Sequence, residues 1–252
     1  MNSQDTNAVI RNGIIKIALL GYGKMGKAIE EIALQHGHEI VLKINSQNKE
    51  ELTLENLQQA DVVIEFTNPE NALTNIYTCL DAGIPVLSGS TGWLQSLPAV
   101  EKYCHEKNGT FLYASNFSIG VNIFFEVNKK LAALMSKQTA YDVSIEEIHH
   151  TQKKDAPSGT AITLAEQVIK EIPLKTSWIN EPSTDRSSLF INSKRIDPAP
   201  GTHSVKYSSD IDDIEITHTA HNRKGFAAGA VLAAEYIVGK KGIFFMKDVL
   251  GL

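Results

Sequence analysis

A short apolar run, "IKIALL", leads directly into "GYGKMG" and then into "KAIEEIALQHG", whose apolar positions recur at helical spacing up to Gly37. Gly21, Gly23 and Gly26 fall in the pattern G-x-G-x-x-G between a strand and a helix. Alone, that pattern also fits a tight turn with no ligand. Between strand and helix each glycine acquires a physical purpose: the first permits the turn, the second lets a pyrophosphate approach the backbone, and the third lets helix and strand pack closely. The stretch Gly21, Tyr22, Gly23, Lys24, Met25 and Gly26 is therefore expected to hold a dinucleotide.

The alternation continues. "EIVLKIN", "DVVIEFT", "PVLSGS" and "TFLYASN" read as strands, separated by the helical stretches "PENALTNIYTCLDAG" and "PAVEKYCHEKNG". Strands and helices in that rhythm predict a doubly wound, parallel Rossmann-like α/β sheet with ligands at the carboxyl ends of its strands. Two of those ends, "EFTNP" and "GSTG", carry hydroxyls beside Pro or Gly, which suits a ligand contact but is also ordinary turn chemistry. After Asn116 the rhythm changes to a long helix, "VNIFFEVNKKLAALM", the strand "YDVSIEEIHH", the helix "GTAITLAEQVIKEI", and three strands without long helices between them. That pattern predicts a second α+β domain with a mixed or antiparallel sheet. The expected division is 1–117 for dinucleotide binding, with 1–13 a polar arm, 118–224 for substrate binding and oligomerisation, and 225–252 returning to the first domain.

Composition narrows the partners. With 24 basic and 29 acidic side chains the formal charge is −5, which argues against a general nucleic-acid binder. No apolar run approaches membrane length, and the opening residues carry no signal-like apolar core. Cys79 and Cys104 lack metal-type spacing, so no disulfide framework is expected and a reducing cytoplasm fits. Cys104 reads as an inert thiol on an amphipathic helix.

The stretch "EEIHHTQKKDAPSGTA", residues 146–161, concentrates titratable groups directly before a small-residue turn. Alternation brings His149 and His150 to a strand end, where a cleft between domains is expected. Adjacent strand residues point to opposite faces, so the two imidazoles do not share a metal ion easily, and no metal is expected. A solvated bend is one alternative. The other is proton chemistry: histidine titrates near neutrality, and Lys153 beside Lys154 can be pushed toward giving up a proton. "DAPSGTA" then starts a helix, with Gly159 and Thr160 in its first turn, where free N–H groups bind carboxylate or phosphate. Proton donors beside an anion cradle, in a dinucleotide-binding chain, suggest reduction of a small carboxylated molecule.

The stretch 146–161 closely resembles the signature of the 4-hydroxy-tetrahydrodipicolinate (dihydrodipicolinate) reductase family of the bacterial diaminopimelate and lysine pathway. The segments "GYGKMG", "EFTNPENA", "GSTGW", "ASNFSIGVN", "RIDPAPGTH" and "EITHTAHNRKGFAAGA" resemble that family's segments in the same order. The resemblance implies His149 as acid/base residue, Lys153 as proton donor, His150 as a substrate contact, and Gly159 with Thr160 as the carboxylate-holding pair. It implies NADH or NADPH contacts from Gly21 to Gly26, from Gly89, Ser90 and Thr91, and from Ala114, Ser115, Asn116 and Phe117. It also implies a small cyclic dicarboxylate substrate and a homotetramer. Many members carry an acid followed by a base after the second strand; this chain has Asn45 there, with Lys43 nearby as a candidate for the cofactor's ribose end or as a solvated strand residue. His203, His218, His221, Arg195 and Arg223 lie on or next to the later strands, where structural and site roles both stay open, Arg195 being the favoured one. Two rivals stand beside this reading: another two-domain nicotinamide-dependent dehydrogenase, or a non-catalytic dinucleotide sensor.

Overall fold

The computed structural model describes residues 13–222 and 224–252, so most of the polar arm and Arg223 lie outside the described residues. The first sheet has six strands: β1 (Lys16–Leu20), β2 (Glu39–Ile44), β3 (Val62–Glu65), β4 (Val86–Ser88), β5 (Thr110–Tyr113) and β11 (Gly242–Phe244). Their order is β11-β5-β4-β3-β1-β2, with β1 parallel to both β2 and β3, and β3 parallel to β4. Strand order reverses beside β1, which is where an open α/β sheet offers its crevice. Helices α1 (Lys24–Gln35), α2 (Leu54–Leu57), α3 (Pro69–Asp81) and α4 (Leu97–Glu106) connect these strands. The local reasons are plain in α3: Asn68 caps it by accepting the Asn71 N–H, and Pro69 opens the first turn, where its missing N–H costs nothing.

The second sheet contains β6 (Asp142–His149), β7 (Ser177–Ile179), β8 (Ser188–Arg195), β9 (Gly201–Ser208) and β10 (Asp213–Ala220) in the order β10-β9-β6-β8-β7. It is mixed: β9 runs antiparallel to β6 and β10, while β8 runs parallel to β6 and β7. Two helices, α5 (Ile119–Met135) and α6 (Gly159–Glu171), pack on one face of it. Phe124 and Phe125 of α5 and Leu164 and Val168 of α6 meet Ile145, Ile191 and Val205 of the sheet, all nearly or fully buried. The alternation read from "YDVSIEEIHH" is the burial pattern of β6, with Val143, Ile145, Glu147 and His149 inward.

By contacts the chain divides into two compact units, 1–112 with 231–243, and 113–230 with 244–252. The closing helix α7 (Lys224–Ile237) therefore contributes to both, and the last helix, α8 (Met246–Leu250), joins the second. This differs from the expectation that 225–252 returns whole to the first domain: β11 adds to the first sheet beside β5, but α8 packs on α5.

Candidate active site

In the first unit the glycine turn is built as its spacing requires. Gly21 has φ +96°, and a Cβ there would lie 2.1 Å from the Phe66 carbonyl oxygen. A Cβ at Gly26 would lie 2.4 Å from the carbonyl oxygen of Gly21, so the third glycine permits close packing of helix on turn. Gly23 is different: a Cβ there meets nothing within 4 Å, and no side chain caps the start of α1. The leading N–H groups of Lys24, Met25 and Gly26 have no carbonyl within the helix to bond, and no acidic residue occupies that first turn. A helix start of this kind is suited to an anion.

Gly21, Tyr22 and Gly23 line a cleft of about 550 Å³ with Ile44, Asn45, Ser46, Lys49, Leu52, Phe66 and Thr67 among others. Its lining includes no carboxylate, and Lys49 is the one charged side chain in it among the described residues. Lys43 does not line it. Its ammonium pairs with Glu30 at 3.2 Å and lies over the Tyr22 ring, while the Tyr22 hydroxyl donates to the same carboxylate. On the next strand ends, a residue the sequence did not single out does the organising. Glu65, fully buried, accepts the Thr67 N–H at 2.8 Å, the Thr67 hydroxyl, Ser88 Oγ at 2.6 Å and Ser90 Oγ at 2.9 Å. Ser90 thereby joins Thr67, a residue of the cleft. Gly89 packs against the Phe66 ring with no room for a Cβ, and Thr91 is exposed just after it.

In the second unit three strands change character at the same row. Ile145 on β6 sits between Ile191 on β8 and Val205 on β9. One row further, Glu147 sits between Ser193 and His203; at the next, His149 faces Arg195. The aliphatic face that holds the core thus turns polar at the carboxyl end of β6, beside the start of α6. Gly201 keeps that corner open, since a Cβ there would lie 3.2 Å from His149 Nε2.

Glu147 is completely buried and central. It accepts the Ser158 N–H at 3.0 and 3.2 Å and Arg195 Nη2 at 3.2 Å, and lies 3.4 Å from His149 Nδ1 and 3.7 Å from His203 Nε2. Burial pushes its carboxyl up, but hydrogen bonds from Ser158 and Ser193 and the neighbouring His149 outweigh burial and hold it below the usual carboxylate range. Burial pushes His149 down, with Lys153 and Arg195 adding to the effect and Glu147 opposing it. His203, whose Nε2 is 3.1 Å from Ser158 Oγ, is pushed down to about 3, by burial first and by His149 second.

The loop after β6 carries the remaining groups. Lys153 Nζ is bonded to both Asp155 oxygens at 2.8 Å, so its near neighbour is a carboxylate and not a second cation. Arg195 donates to the carbonyls of Lys153 and Asp155, pinning the loop. Ser158 caps α6 through the Ala161 N–H, leaving the N–H groups of Gly159 and Thr160 at the open end of the helix. Asn116 Nδ2 donates to Thr160 Oγ1 at 3.3 Å, so the segment Ala114–Phe117 reaches the α6 start, and the Asn116 carbonyl accepts from Asn122. His150 directly follows the last residue of β6, and its carbonyl accepts the Lys153 N–H.

A family profile described as dihydrodipicolinate reductase, N-terminus, matches residues 15–117, and one described as dihydrodipicolinate reductase, C-terminus, matches 120–250. The chain belongs to the dihydrodipicolinate reductase family. A 4-hydroxy-tetrahydrodipicolinate reductase of Christiangramia forsetii is 50% identical over 94% of this chain and 98% of its own. A protein of the same description from Neisseria meningitidis serogroup A is 32% identical over the same shares. Among solved structures, a dipicolinate-bound dihydrodipicolinate reductase from Paenisporosarcina sp. TG-14 superposes with a TM-score of 0.72 at 23% identity, covering 92% of this chain and 98% of that one. Membership in the dihydrodipicolinate reductase family makes the chain a nicotinamide-dependent oxidoreductase.

The buried imidazoles of this dihydrodipicolinate reductase family member are expected to contribute to its pH-dependent stability. Between pH 6.5 and about 3 the unfolded chain protonates His203 and the folded chain does not, so acidification through that window favours unfolding and stability returns as pH rises. His149, also depressed, acts in the same direction. His203→Gln is expected to flatten the pH dependence of the unfolding free energy, measured by urea titration, between pH 6.5 and 4, by up to a few kcal/mol at about 1.4 kcal/mol per pH unit. An unchanged slope would remove His203 from that account.

Proposed function

We propose that the chain reduces 4-hydroxy-tetrahydrodipicolinate to tetrahydrodipicolinate with NADH or NADPH, a step of diaminopimelate and lysine biosynthesis. The observation that carries this is the row change at the end of β6, which sets His149 and the Arg195-pinned Lys153 loop beside the open N–H groups of α6. The α6 start, with Gly159 and Thr160, suits one carboxylate of a small cyclic diacid, and His150 is assigned a further contact with it. Lys153 is the proposed proton donor. Its loop is fixed through both its N–H and its carbonyl, so the ammonium starts from a defined place. His149 supports it from the neighbouring strand end.

The glycine turn and α1 start fit a dinucleotide: uncapped N–H groups, no acid, and open space at Gly23. When bound, the reduced nicotinamide supplies the hydride. Asn45, Ser46 and Lys49 follow β2, whose end meets the adenosine ribose in folds of this kind. With Lys49 in the lining and no carboxylate to repel a 2′-phosphate, NADPH is accepted at least as well as NADH. Lys49→Ala should weaken NADPH by about fivefold, the size of an exposed charge pair near 1 kcal/mol. NADH should hold within about twofold on the same estimate. Titration calorimetry with both cofactors checks this, and equal losses would reject the assignment.

The proposed residence is the cytoplasm, in keeping with a need for reduced cofactor and with two free, buried cysteines. The edge strand β10, bonded on one side to β9 and exposing Ile214, is the proposed sheet edge for assembly into a homotetramer. Mass measurement in solution tests it. The activity itself is tested by mixing the chain with reduced cofactor and the product of dihydrodipicolinate synthase, and following absorbance at about 340 nm. No decay above the substrate-free rate would sink the reading, and decay with a semialdehyde or sugar instead would favour a different dehydrogenase.

A further inference from the structure

We propose that Glu147 is the positioning residue of this site, its buried carboxylate fixing His149 as the Nδ1–H tautomer with Nε2 as the proton-accepting atom, and joining Arg195 and the α6 start into one unit. The proposal rests on the catalytic reading of the β6 end. The inward row just before Glu147 on β6, β8 and β9 is aliphatic, Ile145 with Ile191 and Val205, and an ionised carboxylate one row on has lost all contact with water. Such a group persists only where partners compensate it, and these partners are the parts of the site: Ser158 at the head of α6, Arg195 at the end of β8, and two imidazoles. His149 Nδ1 is buried without a hydrogen-bond partner in its present orientation, yet it lies 3.4 Å from Glu147 Oε2. A small ring rotation converts that approach into Nδ1–H donating to the carboxylate. The other ring nitrogen then keeps its lone pair and points to the space that Gly201 leaves open.

The groups that face His149 from every packed element are Glu147 on its own strand, Lys153 and Asp155 on the loop, Arg195 on β8 and His203 on β9, with His218 behind His203. Glu147 and Asp155 favour the imidazolium; Lys153 and Arg195 oppose it. Removing the Glu147 charge therefore moves His149 titration to lower pH. Glu147 is fully buried, and Glu147→Gln keeps an acceptor oxygen for the Ser158 N–H, so the α6 start stays in place and substrate affinity has little reason to fall.

The first measurement needs no substitution at Glu147. Nitrogen-15 spectra of the imidazoles in the full chain near pH 7.5, with His149 assigned by its loss in His149→Asn, are expected to give the Nδ1–H tautomer. Glu147→Gln should then lower kcat by about 10- to 100-fold, as loss of an orienting outer partner does. KM for the diacid should stay within about threefold, the acid limb of the kcat profile should move to lower pH, and Glu147→Asp should recover part of the loss. An Nε2–H tautomer in the parent chain overturns the proposal, as does a Glu147→Gln enzyme that raises KM and leaves the acid limb in place. Failure of the catalytic reading has a different signature: the parent chain turns nothing over, whatever its tautomer.

Discussion

Lys153→Ala is expected to lower kcat by about 10²- to 10⁴-fold, the usual contribution of a positioned proton donor, while the dissociation constant for reduced cofactor changes by less than about twofold. The separation follows from the way the loop is held. Lys153 is anchored through its backbone, by the N–H to the His150 carbonyl and by the carbonyl to Arg195 Nε, so truncating the side chain removes the ammonium and leaves the turn in place. The proposed dinucleotide cleft is lined by other residues, on the glycine turn and the ends of β1 to β3. Asp155 is the internal control. Its carboxylate is bonded to the ammonium by both oxygens, so Asp155→Asn frees Lys153 without deleting it and should cost far less than Lys153→Ala. Steady-state rates with fluorescence titration of the reduced cofactor measure both quantities. Equal losses in turnover and cofactor affinity would mean that Lys153 holds structure and donates no proton.

Those expectations rest on parts of the molecule that were unevenly legible. The glycine turn, the parallel alternation and the mixed second sheet are local patterns, written in apolar period and turn residues, and they read directly. So did the α6 start, because Ser158, Gly159 and Thr160 are neighbours in sequence. What could not be read is what joins distant segments. Glu147 looks like any acid in "EEIHH"; its burial follows only when β8 and β9 flank β6 and bring Arg195 and His203 beside it. One signal was available: in the register Val143, Ile145, Glu147, His149 an acid holds an inward position, and an inward acid needs partners. Glu65 hid in the same way, since the hydroxyls that satisfy it come partly from β4 and the turn after it, 23 and 25 residues on. Lys43 illustrates the converse. Its position near the end of β2 suggested the ribose, but Glu30 on α1 takes the ammonium, and the lysine lining the cleft is Lys49. The three-residue strands β7 and β11 carried too few residues to show a period.

The glycine turn allows fold and ligand to be separated by experiment, because its first two glycines are glycines for different reasons. Gly21→Ala places a side chain at φ +96° and 2.1 Å from a backbone oxygen, a contact no rotamer relieves. It should destabilise the chain by about 3 kcal/mol or more, combining the left-handed backbone cost with a collision in a packed turn. Gly23→Ala places a side chain where nothing lies within 4 Å, at φ −90° and ψ −153°, which alanine adopts freely. Its stability cost should stay under about 1 kcal/mol, the range for a weak helix cap. If the space at Gly23 serves the close approach of a pyrophosphate, the same methyl group should weaken NADPH and NADH alike by about tenfold or more, equivalent to 1.4 kcal/mol. Thermal melts and cofactor titrations on the two variants are expected to give a crossed result: one loses stability, the other keeps its stability and loses affinity for the dinucleotide. A Gly23→Ala chain that binds the dinucleotide as tightly as its parent would show that the second glycine is turn geometry alone, and the cleft beside it would lose its claim to the phosphates.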